Sequence, residues 1–238
     1  MRISGMVMTL VLFTSAAAHG LEAGSTLDFI PPPAGSYQLQ TIMPAPDGEV
    51  LDTSGHAQAL SQFTRDKITL LGLIYTRCSD PDGCPRATWA FAEVKRRLKM
   101  QRGLAEDERL VSLSFDPRHD TPQFLKTYAA NAKSSDRSVE WHFLTTGSLR
   151  ELMPLLDGFG QDLRVASGPS STRAEPVFTH TLKVFLIDRQ GQVREIYTTA
   201  FLMPEMIVND IKTLLMEDKS AAPAGSLPEA ALRGNPRQ

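Results

Sequence analysis

Ile68 to Tyr75 reads ITLLGLIY, an almost unbroken apolar run. Such a run cannot alternate between a wet face and a dry one, and its length suits a strand buried on both sides. A strand of that kind needs an apolar layer above it and another below. The run therefore commits the chain to a sheet with helices packed on both faces. It also delivers the chain to TRCSDPDGCP, the stretch that holds both cysteines, Cys78 and Cys84.

The segments that follow alternate in type. In PRATWAFAEVKRRLKM, Pro85 suits a first helical position, and Ala87, Phe91, Val94 and Leu98 recur at helical spacing. Lys95, Arg96, Arg97 and Lys99 crowd its last turns, complement the helix dipole and read as a solvated face. RLVSLSF predicts a second strand, and Thr121 a cap for a helix that begins at Pro122. VEWHFLTT predicts a third strand, and SLRELMPLLDGF a helix kinked or begun at Pro154. HTLKVFLID and QVREIYTTA predict two strands about Arg189-Gln190-Gly191, and PEMIVNDIKTLLMED a closing helix with Ile207, Ile211, Leu214 and Leu215 on one face. Ahead of the long run, Asp47-Gly48 predicts the turn of a peripheral N-terminal hairpin. The fold class is α/β, a mixed sheet covered by helices on both faces.

Arg2, the apolar run Met6 to Phe13 and the small residues Ala16 to Ala18 have the order of a signal peptide, expected over 1–18. A Pro- and Gly-containing linker is expected over 19–36, one folded domain over 37–217 and a disordered tail over 218–238. The apolar run is too short to span a bilayer, so a membrane enters only through an uncleaved signal. The expected location is outside the cytoplasm, in a bacterial periplasm, and the expected state a monomer. With 25 Lys and Arg against 27 Asp and Glu and no basic block, nucleic acid is an unsuited partner.

Two cysteines in an exported protein permit a structural disulfide, a redox couple or a pair of metal ligands. Placed at the N-cap before Pro85, Cys84 meets the positive end of a helix, which favours its thiolate, while Asp80 and Asp82 oppose it. Two thiolates are soft donors suited to Cu(I) or Zn(II), and a closed site needs a further ligand. The histidines are His19 at the signal junction, His56 in a loop, His119 in a polar turn, His142 inside a strand and His180 at the head of HTLKVFLID. His180 opens a strand, at a terminus where loops of the cysteine end can gather, yet a lone strand histidine is more often structural, and spacing alone assigns no third ligand.

LLGLIYTRC with its following CP, VSLSFDPRHDTPQFLKTYA and FTHTLKVFLIDRQGQV occur in an order that resembles the Sco/SenC family, over roughly Tyr37 to Glu217. Asp116-Pro117 followed by Asp120-Thr121-Pro122 is the most distinctive of these matches. The resemblance implies a thioredoxin-like fold and a copper-binding protein that assists cytochrome c oxidase assembly. It places the copper ligands, for Cu(I) or Cu(II), on Cys78, Cys84 and His180, with a copper-accepting metalloprotein, such as an oxidase subunit, as partner. The alternative it leaves open is a thiol–disulfide oxidoreductase in which Cys78 and Cys84 are catalytic and reduce a target's copper-ligand thiols. This chain departs from the family pattern in two places: five residues rather than three separate the cysteines, and Thr179 rather than Asp precedes His180.

Overall fold

The computed structural model describes residues 29–101, 104–132, 139–166 and 177–221. The signal peptide expected over 1–18, the first part of the linker and the tail beyond residue 221 lie outside them. The first half of the chain forms β1 (Met43–Pro44), β2 (Glu49–Leu51), β3 (Ala57–Ala59), α1 (Ser61–Thr64), β4 (Ile68–Ile74), α2 (Cys84–Lys99) and β5 (Glu108–Ser114). Then come α3 (Pro122–Ala132), β6 (Glu140–Leu144), α4 (Leu149–Gly158), β7 (Leu163–Ala166), β8 (Val177–His180), β9 (Lys183–Ile187), β10 (Gln192–Thr198) and α5 (Pro204–Ala221).

Six strands form the main sheet in the order β1-β10-β9-β4-β5-β6. β4, β5 and β6 run parallel, whereas β9 is antiparallel to β4 and β10 is antiparallel to β9. This is the mixed sheet expected from the sequence. All seven residues of β4 are buried. Alternation along the strand sends Leu70 and Ile74 into one cluster with Phe91, Val94, Ile207 and Ile211, and Leu71 and Leu73 into another with Val50, Phe63, Leu152 and Leu155. Helices α2 and α5 thus cover one face, while α1, α4 and the β2–β3 hairpin cover the other. Each such aliphatic side chain contributes about 1.5–3 kcal/mol when fully buried. Gly72 lets α2 approach closely: a Cβ there would stand 3.0 Å from the Phe91 ring.

Side-chain caps open α3 and α4, the first of them expected from the sequence. Thr121 Oγ1 accepts from the Phe124 amide at 3.3 Å, and Ser148 Oγ from the Glu151 amide at 3.3 Å. Pro154 lies inside α4. Two expectations need correction. Asp47-Gly48 does not close a hairpin but joins β1, which pairs with β10, to β2, which pairs with β3. The Asp47 carboxylate is held by the amides of Gly48 and Ser61, at 2.9 and 2.8 Å. The hairpin turn comes later, where Asp52 accepts from the amides of Ser54 and His56 and Gly55 takes a φ of 82°. Nor is HTLKVFLID one strand. β8 ends at His180 and pairs with β7 in a separate ribbon, β9 begins at Lys183 in the main sheet, and Thr181-Leu182 cross between them. Gln161 Nε2 donates to the Thr181 carbonyl at 3.0 Å, and Leu182 enters the core.

At the opposite end of the sheet from the cysteines, Glu108 opens β5 on the face that carries Leu110 and is 1% exposed. Neither carboxylate oxygen has a hydrogen-bond partner among the described residues. Burial, and after it the charge of Asp107, push the carboxyl from 4.5 up to about 8. The folded chain therefore holds a proton that the unfolded chain releases, and stability falls as pH rises from 4.5 to about 8. We predict that Glu108→Gln removes most of that slope and raises stability at pH 8.5 by about 2–4 kcal/mol, with little gain at pH 4.5. Urea unfolding of both proteins across this range checks it.

Candidate functional site

β4 ends against β5, with the Phe115 amide donating to the Ile74 carbonyl at 2.9 Å. Just beyond, the chain turns out through Tyr75, Thr76 and Arg77, where a buried carboxylate takes hold of it. Asp120 is fully buried. Its Oδ2 accepts from the Thr76 amide at 3.0 Å and from Ser114 Oγ at 2.6 Å, and its Oδ1 accepts from the Thr76 hydroxyl. Arg77 pairs with the buried Asp116 at 2.7 Å.

The five residues between the cysteines fold into a compact turn. The Cys78 amide donates to the Tyr75 carbonyl at 3.2 Å, and the Gly83 amide to the Asp80 carbonyl at 3.0 Å. The Asp80 side chain accepts from the Asp82 amide at 3.0 Å. Gly83 leaves room for sulfur, since a Cβ there would stand 3.0 Å from Cys78 Sγ.

Gly83, not Cys84, is the N-cap of α2, and Cys84 is the first helical residue, ahead of Pro85. Cys84 is buried, its Sγ accepting from the Tyr75 amide at 3.4 Å, and Cys78 is half-buried; both are free thiols. Burial pushes the Cys84 thiol far up, against the opposing pull of the Tyr75 amide, and the nearby Cys78 adds to the rise. Desolvation therefore outweighs the helix end, and the bare Cys84 stays protonated at neutral pH. Burial, and after it Cys78, also push the Tyr75 hydroxyl up to about 12.

His180 meets this thiol from the end of β8, with Nε2 4.0 Å from Cys84 Sγ. Its Nδ1 lies 3.3 Å from the Thr181 carbonyl oxygen. A carbonyl only accepts, so the proton belongs on Nδ1 and the lone pair of Nε2 faces the sulfur. The ring packs edge-on against Phe115, at 4.6 Å between centroids, and burial pushes the imidazole down, keeping it neutral at pH 7.

Cys84 and His180 are thus brought together from residues 96 apart in sequence. Cys78 borders the same space, but its Sγ faces the Asp80 carbonyl, 3.9 Å away. Among the described residues no three His, Cys, Asp or Glu side chains are already gathered around a point that could hold a metal. The other histidines are elsewhere: His56 pairs with Asp52, His142 with Glu140, and His119 lies on Phe124. His19 lies outside the described residues.

Comparison with known proteins gives concordant results. The sequence model of the SCO1/SenC family matches residues 46–216. The SCO1 protein homolog of Bacillus subtilis is 28% identical over 151 residues, 63% of this chain and 72% of that one. The crystal structure of Arabidopsis thaliana ScoI with copper bound superposes with a TM-score of 0.61 at 17% identity, covering 73% of this chain and 98% of that one. BsSco, described as having a disulfide switch and as a member of the Sco family of cytochrome c oxidase assembly proteins, gives 0.56 at 24% identity over 75% and 98%. Among the described residues no helix is long and apolar enough to cross a membrane.

Asp120, Ser114 and Thr76 escape a reading by residue chemistry. The spacing of Asp116 and Asp120 was the only signal, and it says nothing of burial. Because Asp120 accepts three hydrogen bonds while fully buried, it fixes where the cysteine loop leaves the sheet. We predict that Asp120→Ala costs about 3 kcal/mol, from lost charge-assisted bonds and stranded donors. Amide exchange at Thr76 and Arg77 should rise more than at Leu70 or Leu71, a contrast that a uniform loss of stability would not produce.

Proposed function

We propose, on the premise that this chain belongs to the SCO1/SenC family, that it is an exported copper chaperone. It holds copper, as Cu(I) or Cu(II), through Cys78, Cys84 and His180, and passes it to a copper-accepting metalloprotein. BsSco belongs to a family of cytochrome c oxidase assembly proteins, which makes an oxidase subunit the natural recipient. Copper is the cargo of this reaction, not a resident cofactor.

The observation that carries the reading is the 4.0 Å approach of Cys84 Sγ to a His180 nitrogen whose lone pair faces it. With bonds of about 2.0 Å to nitrogen and 2.3 Å to sulfur, one ion reaches both donors. Cys78 completes the set by rotating its side chain off the weak contact with Asp80. Two thiolates match Cu(I), and the imidazole suits Cu(II). A soft cation also supplies the positive charge that a buried Cys84 thiolate lacks. Binding releases the thiol protons, so apparent affinity falls as pH falls.

One feature favours a second reading, thiol–disulfide exchange with a target's copper-ligand thiols. Cys78 is reachable while Cys84 lies buried behind it, an arrangement in which Cys78 attacks and Cys84 resolves the mixed disulfide. That chemistry assigns no role to His180, and this separates the two readings. Titrating the reduced protein with copper should give stoichiometric thiolate-to-copper absorption. His180→Ala and Cys84→Ser should each weaken affinity about tenfold or more, as loss of one ligand from a small set requires. An absorption band that survives both substitutions unchanged sinks the chaperone reading. Reductase activity that needs both cysteines and ignores His180→Ala would then carry the second.

A further inference from the structure

Beside the thiols, helices α2 and α3 leave a groove of about 400 Å³ whose lining includes Cys78, Cys84, Thr88, Trp89 and Tyr128. Among the described residues, no charged side chain lines it. Its walls meet where Thr88 Oγ1 and the Tyr128 hydroxyl lie 3.5 Å apart. Trp89 stands 58% exposed on the rim. Nothing in the packing of α2 requires a tryptophan here, since the core face of that helix is filled by Ala87, Ala90, Phe91 and Val94. A large aromatic left this exposed at the mouth of a groove marks a surface that is covered in use.

The chemistry of the occupant follows from what the groove opens onto. Passing a metal between proteins by ligand exchange requires the acceptor's donors to come within bonding distance of the ion. Cys84 is backed by the Tyr75 amide and faced by His180, whereas both cysteines border the groove. A charged segment entering an uncharged lining would lose hydration without gaining a partner, so charge matching selects an apolar one. The volume admits a few side chains of an extended segment.

We propose that this groove binds an extended apolar peptide segment of the copper-accepting protein and presents that segment's cysteines to Cys78 and Cys84, with Trp89 closing over it. The proposal rests on the copper-transfer reading. In the exchange, copper's bonds to Cys78, Cys84 and the His180 nitrogen break as bonds to the segment's two sulfurs form, leaving His180 as the neutral imidazole. The protons shed by the segment's thiols pass to Cys78 and Cys84, and no electron changes hands.

The test uses a synthetic peptide with two cysteines set among leucines and valines, a control with lysines and glutamates in place of the apolar residues, and glutathione. In the metal-free protein, the apolar peptide should shield tryptophan emission from iodide, which reaches the exposed Trp89 and not the buried Trp141. The control and glutathione should not shield it. In the copper-loaded protein, the ratio of transfer rates to the apolar peptide and to glutathione should fall about tenfold in Trp89→Ala and recover in Trp89→Phe. Equal shielding by glutathione, no shielding by the peptide, or an unchanged ratio overturns the proposal. Failure of the wild type to take up copper overturns the chaperone reading instead, and the shielding arm still decides the groove.

Discussion

β4 lies between two hydrogen-bonded neighbours in the plane of the sheet and two apolar layers above and below it. Its backbone has no direction in which to move without breaking ladder bonds or core packing. Whatever leaves its end starts from a fixed point. The Tyr75 amide there is bonded to Cys84 Sγ, and the Thr76 amide to Asp120. The Cys84 sulfur is thus referred to a strand enclosed on every side, although Cys78 itself rides on a loop.

The setting of Cys84 pits two effects against each other. A helix start favours negative charge by about 0.3–1 kcal/mol near the surface and up to about 2 in partly buried geometries. Removing a thiolate from water costs more when the group is as enclosed as Cys84, which is 2% exposed. Burial wins, and the thiol keeps its proton until something positive arrives. A site of this kind suits the holding of a cation better than the free attack of a nucleophile.

Much of this was legible beforehand because the signals were local and redundant. A run such as ITLLGLIY admits one structural solution, and the Pro122 helix start carries its cap, Thr121, beside it. The errors fell where a local signal had a non-local competitor. Asp47-Gly48 has turn chemistry, but Asp47 is also wanted by the Ser61 amide, fourteen positions away. The residues His180 to Asp188 look like one strand because their composition is uniform. Their division depends on β8 finding β7 while β9 finds β4 and β10, which no short window contains. The role of Asp120 was equally hidden, since burial of a carboxylate is a property of the surrounding fold.

The break at Thr181-Leu182 puts the candidate donors on different mechanical parts. Both cysteines extend from the main sheet and its first long helix, whereas His180 ends a two-stranded ribbon. An ion held by all three would be a cross-link as well as cargo, tying ribbon to sheet while bound and freeing them on release. By linkage, anything that pulls the ribbon away weakens the grip on the ion by the same free energy that the ion lends to keeping the ribbon down. For such an ion, Thr181 and Leu182, the two residues between ribbon and sheet, would carry that coupling.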